Sequence, residues 1–124
     1  MARQQRSASS KVQIATWQGD EPVIDCTPGA TIFITPPGNF RLMRLAMNFD
    51  AGLPITISIY SQDPDNIAWT QMIRNVVVPA PAAGGTQYSF IGGQGYEYNE
   101  GQRIVIIIAA VAANLHLSWA MEQI

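Results

Sequence analysis

The chain has 124 residues, enough for one domain that buries about two thirds of its unfolded surface without help from a metal or disulfide, and too few for a second. Hydrophobic residues make up 48% and charged residues 13%, against a usual charged share of about 25%, so the surface is poor in charge and much of it is expected to be covered by other protein. The formal net charge of −2 is unevenly placed: Arg3, Arg6 and Lys11 precede any acid, which leaves residues 12–124 with four basic and nine acidic side chains. A body near −5 does not attract nucleic acid, and three phosphate contacts from a +3 arm would bind only weakly and salt-sensitively.

Cys26 is the only cysteine, so no intrachain disulfide can form; a structural thiol in a reducing compartment is the expectation, and an intersubunit disulfide the other reading. The opening M-A-R-Q-Q-R-S-A-S-S-K has basic residues but no apolar stretch behind them, unlike a secretory signal, so synthesis in a cytoplasm is expected.

Residues 1–10 are polar and small without apolar periodicity, and read as a flexible basic arm; residues 11–124 read as the folded domain. Strand signals begin at Lys11, where Val12, Ile14 and Thr16 alternate with Gln13, Ala15 and Trp17 up to a polar break at Q-G-D-E-P. The short V-I-D-C precedes the turn T-P-G. A-T-I-F-I-T then runs into P-P-G-N, whose prolines cannot donate to a ladder. Residues 41–50 also permit a helical stripe through Leu42, Leu45 and Phe49, but their alternation and their strand-like neighbours favour a strand in which Met43, Leu45, Met47 and Phe49 share one face. In P-I-T-I-S-I-Y-S, Ile55, Ile57 and Ile59 face one way and Thr56, Ser58 and Tyr60 the other, the pattern of a half-buried strand.

The loop Q-D-P-D-N leads to A-W-T-Q-M-I-R-N-V-V-V, read as one long bent strand or two short ones, and P-A-P-A-A-G-G-T is a loop by composition. T-Q-Y-S-F-I alternates again. A flexible G-G-Q-G, a short Y-E-Y and the turn N-E-G-Q deliver the chain into R-I-V-I-I-I-A-A-V-A-A. That run, Arg103 to Ala113, holds ten consecutive apolar residues, half the roughly 20 that a membrane-spanning helix needs, and its β-branched first half makes it a strand. Ile104, Ile106 and Ile108 would line one face and Val105, Ile107 and Ala109 the other. Both faces are apolar, whereas antiparallel sheets usually wet one, so one of them is expected to meet a partner subunit. The taper to alanine suggests that something packs closely at the far end, such as a threefold axis. After a turn at Asn114, L-H-L-S-W-A-M-E-Q-I alternates to the end. Eight or nine strands with turn signals between them, and no convincing helix, predict an all-β single-domain antiparallel β-sandwich of jelly-roll type.

No constellation signals catalysis. His116 is the only histidine and falls on the polar side of the last strand, where a surface or intersubunit hydrogen bond is the expected role. One His and one Cys far apart do not make a zinc site. Asp63, Asp65 and Asn66 could offer oxygens to calcium, but D-P-D-N is also an ordinary turn and lacks the spacing of an EF-hand. Glu97 and Glu100 sit in a turn that sets no carboxylate distance, and I-G-G-Q-G-Y leads to a strand where phosphate binding needs a helix N-terminus. Neither a cofactor nor a metal is expected. Trp17, Trp69, Trp119, Tyr88, Tyr96 and Tyr98 could form a sugar-stacking platform, although such residues more often serve the core or an interface.

A basic arm, a charge-poor all-β body, a doubly apolar strand and no catalytic apparatus suit assembly. In style, from R-Q-Q-R-S-A-S-S-K through T-I-F-I-T-P-P-G and I-T-I-S-I-Y to R-I-V-I-I-I-A-A-V, the chain resembles the small jelly-roll capsid cement or decoration proteins of bacteriophages, though no diagnostic motif is present. The resemblance implies a non-enzymatic virion protein, made in the host cytoplasm, that forms a homo-oligomer, a trimer by analogy, and clamps neighbouring major capsid proteins. Self-association would use Ile104, Ile106 and Ile108 or else Val105, Ile107 and Ala109, and Arg3, Arg6 and Lys11 would dock on an acidic partner surface. No membrane and no nucleic-acid partner is expected. The rival readings are a carbohydrate-binding β-sandwich, as at a receptor-binding fibre tip, and a coat protein that packages genome, which the acidic body disfavours.

Overall fold

The structure is a computed structural model and describes residues 16–93 and 95–124. Nine strands follow one another: β1 (Thr16–Asp25), β2 (Ala30–Ile34), β3 (Phe40–Phe49), β4 (Ile55–Asp63), β5 (Asn66–Val78), β6 (Gln87–Ile91), β7 (Glu97–Tyr98), β8 (Arg103–Ile108) and β9 (Asn114–Gln123). They form two antiparallel sheets, one ordered β1-β9-β3-β6 with β7 also on β3, the other β2-β8-β4-β5. All connections except β4–β5 and β6–β7 pass from one sheet to the other, and early strands lie beside late ones (β1 on β9, β2 on β8). The chain is thus a β-sandwich wound as a jelly roll.

Alternation supplies the core. Ile55, Ile57, Ile59, Ile104, Ile106 and Ile108 project inward from the second sheet onto Leu42, Leu45, Met47, Leu115, Leu117 and Met121 of the first. Burying each such side chain contributes about 1.5–3 kcal/mol. The one buried hydroxyl pair, Ser61 Oγ with Tyr98 Oη at 2.7 Å, is mutually satisfied. β5 is the single long bent strand, its register against β4 shifting at Ile73 and again between Asn66 and Thr70.

Several expectations need correction. Q-G-D-E-P does not end a strand, since β1 runs through it. β1 is an edge strand paired only with β9, so its polar side chains can face water. A bulge sets Pro22 and Val23 opposite His116, which takes the proline out of the ladder. Gly19 belongs there because a Cβ would lie 2.3 Å from the Trp119 ring. In β3, Met43 does not share the face of Leu45: a bulge beside β9 flips the phase, so Leu42 and Leu45 are both buried and Met43 is exposed. That phase flip is why the segment also resembles a helical stripe. The Q-D-P-D-N loop shrinks to Pro64–Asp65 between the paired ends of β4 and β5.

The Ile/Ala run does not continue as a strand to Ala113; β8 stops at Ile108 and residues 109–113 form the crossover to β9. At the end of this crossover the chain's own β1–β2 connection packs beside the buried Ala113, while Ala109, Ala110 and Ala112 are exposed. Cys26 N–H donates to Ala113 O (3.0 Å) and Val111 N–H to Cys26 O (2.9 Å). The G-G-Q-G stretch is not a free loop either. Gly92 and Gly93 N–H donate to Met43 O (2.9 Å) and Leu42 O (2.8 Å), and Leu42 N–H donates to Tyr96 O (2.8 Å). A Cβ on Gly92 would sit 2.2 Å from Leu42 O, so only glycine permits this approach. The arm, residues 1–10, and the start of the first strand signal at residues 11–15 lie outside the described residues.

Candidate interaction face

β8 is the inner neighbour of both β2 and β4, so its outward residues sit at the centre of the second sheet's outer face. Register then builds a row across all four strands. Phe33 pairs with Val105, Val105 with Tyr60, and Tyr60 with Met72. One step along lies Thr31–Ile107–Ser58–Asn75, and beyond it Thr56–Val77. Within this face Phe33 is 52% exposed, Met72 49%, Val77 64% and Ile107 39%, a concentration of uncovered apolar side chains on one surface.

These rows carry no charged side chain; the adjoining row, Arg103–Gln62–Thr70, carries Arg103, whose charge is already engaged. Its guanidinium lies 4.2 Å from the Phe33 ring centroid, and its Nε and Nη2 donate to Gln62 Oε1 at 2.8 and 2.5 Å. Gln62 Nε2 passes the chain on to Thr70 Oγ1 at 3.2 Å. A fixed cation at the rim and apolar side chains at the centre form a surface that can lose water at little electrostatic cost.

The two candidate sets on β8 are separated by burial. Ile104, Ile106 and Ile108 are 0–1% exposed and committed to the chain's own core, while Val105 (6% exposed) and Ile107 belong to the outer face. Ala109 is exposed just past the strand end, its N–H donating to Thr56 O at 3.1 Å. Arg3, Arg6 and Lys11 lie outside the described residues. Phe33, Tyr60, Met72 and Val77 have no local signal marking them as one surface, because only pairing between strands distant in sequence brings them together.

The other singled-out residues have structural partners. Cys26 is fully buried, with its thiol donating weakly to Ile24 O at 3.6 Å; burial, then the nearby Asp25 and Asp50 carboxylates, push its pKa up and make it a poor nucleophile. His116 is exposed beside Asp20 (3.2 Å). Asp63 Oδ1 accepts from Asp65 N–H at 3.0 Å, the turn-stabilising role. Among the described residues no three His, Cys, Asp or Glu side chains gather to hold a metal. Glu97 pairs with Arg41 (3.3 Å), which also holds Glu122 (3.1 Å), and Glu100 N–H donates to Asn39 Oδ1 (2.9 Å). Tyr98 is a core residue whose hydroxyl pKa is raised by burial.

No protein-family model matches the sequence and no curated protein matches it significantly. Among solved structures, the chain is similar to PirA (TM-score 0.48, 12% identity, 90% of this chain and 99% of that one). It is similar to a chain of the capsid asymmetric unit of cyanophage Pam1 (TM-score 0.45, 13% identity, 100% and 97%). It is also similar to the virus-like particle of the extra small virus of the giant freshwater prawn Macrobrachium rosenbergii (TM-score 0.50, 9% identity, 96% and 84%). At these identities the likeness is one of fold alone.

Proposed function

We propose that the chain is a non-enzymatic structural protein of a virion, a cement or decoration protein that self-associates through the outer face of the β2-β8-β4-β5 sheet. The observation that carries this reading is the apolar row Phe33–Val105–Tyr60–Met72, flanked by Ile107 and Val77, in rows without a charged side chain and beside an Arg103 that is internally engaged. The fold shared with the extra small virus particle supports a shell-associated role.

The mechanism is mechanical. Covering such a face removes apolar area from water at roughly 25 cal/mol per Å², and a stable contact needs on the order of 1,200–2,000 Å² in total. A trimer built this way leaves the polar outer face of the other sheet toward solvent. The arm, with Arg3, Arg6 and Lys11, reaches for acidic surface on neighbouring major capsid subunits, so the contact with the shell weakens with salt.

Sedimentation velocity on the full chain at micromolar concentration tests the reading. A trimer that Ile107→Asp converts to a folded monomer supports it. A wild-type monomer overturns self-association. Mass spectrometry of purified particles from the same source tests the virion assignment, which requires the chain in fixed ratio to the major shell protein.

A further inference from the structure

A cleft of about 440 Å³ opens between the two sheets, on the side where β5 faces the residues leading into β7. It lies within the size range of small-ligand sites. From β5 it is walled by Trp69 and Gln71, which fall on the same side of the strand, with Met72 at the margin; from the other sheet by Tyr96 and Glu97; Ser61 forms part of the lining. Gln71 lies opposite Ser61 in the β4–β5 ladder, so these two polar groups enter the cleft side by side.

The walls are set before any ligand arrives. Tyr96 packs edge-on against Phe90, with ring centroids 5.3 Å apart and planes at 85°. Glu97 borders the cleft, but its carboxylate turns away from it, pairing with Arg41 Nη2 at 3.3 Å in the outward row Glu122–Arg41–Glu97. Ser61 Oγ is fixed 2.7 Å from Tyr98 Oη. Trp69, by contrast, leaves 39% of its surface exposed. No lysine or arginine lines the cleft among the described residues, so nothing there would compensate the charge of an anionic ligand.

We infer that this cleft binds a neutral oligosaccharide. A pyranose presents an apolar C–H face and a rim of hydroxyls. The exposed indole of Trp69 suits the face, and the Gln71 amide, which both donates and accepts, suits adjacent hydroxyls. Met72 at the margin is shared with the outer face of the second sheet, but Trp69 and Gln71 lie on the other side of the strand, so the assignment does not depend on how that face is used.

Titration calorimetry of the full chain against cellohexaose, maltohexaose, chitohexaose, xylohexaose and mannohexaose tests it. At least one sugar is expected to bind saturably. Trp69→Ala should weaken that binding about tenfold or more, Trp69→Phe less, and Gln71→Ala measurably, with the sedimentation profile unchanged. If Trp69→Ala does not fold, Trp69→Phe and Gln71→Ala carry the test. No heat with any of the five sugars overturns the inference, as does wild-type affinity in the folded variants.

Discussion

The outer faces of the two sheets are woven by the same rules and differ at their centres. Across the first sheet the outward rows read His116–Asn48–Gln87 and Ser118–Ala46–Ser89, with Arg41 and Glu122 paired at one end, and its exposed apolar side chains, Val23, Met43 and Ile91, lie outside these rows. Across the second, the central row is Phe33–Val105–Tyr60–Met72. Each sheet is closed on its inner side by the shared core, so the core cannot account for the difference. A polar face is complete in water. An apolar, charge-poor one is stable but leaves area whose burial is favourable, so the asymmetry marks where a further contact would gain most.

The comparison can be broken on β8 itself. Ile106→Asp places an unpaired charge in the core at a position with no exposure, at a cost of about 5 kcal/mol or more; the expected outcome is an unfolded chain by circular dichroism. Its neighbour Ile107→Asp, on the outer face, should leave the fold intact and weaken self-association about a hundredfold in sedimentation equilibrium. The matching change on the other face, Ser118→Asp, should leave association unaltered. Equal loss from both outer-face variants would mean that the two faces do not differ in role.

The clasp that keeps β3 in its bulged phase is tested by Gly92→Ala, whose Cβ would meet Leu42 O at 2.2 Å; a loss of about 1–3 kcal/mol is expected in urea denaturation. Gly38→Ala, with nothing nearer than 3.7 Å, should cost less.

The smallest effect is a pH dependence at the crossovers joining the sheets. Asp50 accepts from Asn114 N–H at 2.7 Å and from its Nδ2 at 3.0 Å, and Asp25 from Thr27 N–H at 3.0 Å; both carboxyls are held below the ordinary value of 3.8 by these bonds. A lowered folded-state pKa contributes stability in full above that ordinary value and loses it as pH falls through the folded one. Thermal melts between about pH 6 and pH 2 should therefore decline at the acid end, and Asp50→Asn should reduce the slope of that decline.

Much of the architecture was legible because alternation is a local property. Ile55, Ile57 and Ile59, or Leu115, Leu117 and Met121, sort to one face whatever they pair with, and all six are buried. The departures fell where pairing overrides alternation. The bulges at Pro22–Val23, Met43 and Ile73 insert a residue that only a neighbouring strand can reveal, and they carried β1 through a polar stretch and put Leu42 and Leu45 on the same side. Gly92 reads as looseness in sequence and works as a close contact in space. Of the alanines at residues 109–113, Ala113 is buried beside the Cys26 connection, a contact that only the fold reveals, while Ala109, Ala110 and Ala112 are exposed.

By itself, then, the sequence determined the class: an all-β sandwich, strands whose inner residues are set by period-two patterning, and an isoleucine strand apolar on both faces. Which of those faces turned inward, and that Phe33, Tyr60 and Met72 would join Val105 in one row, only the tertiary structure decided. The reason is that side-chain direction along a strand depends on that strand alone, whereas register and layer depend on strands many residues away.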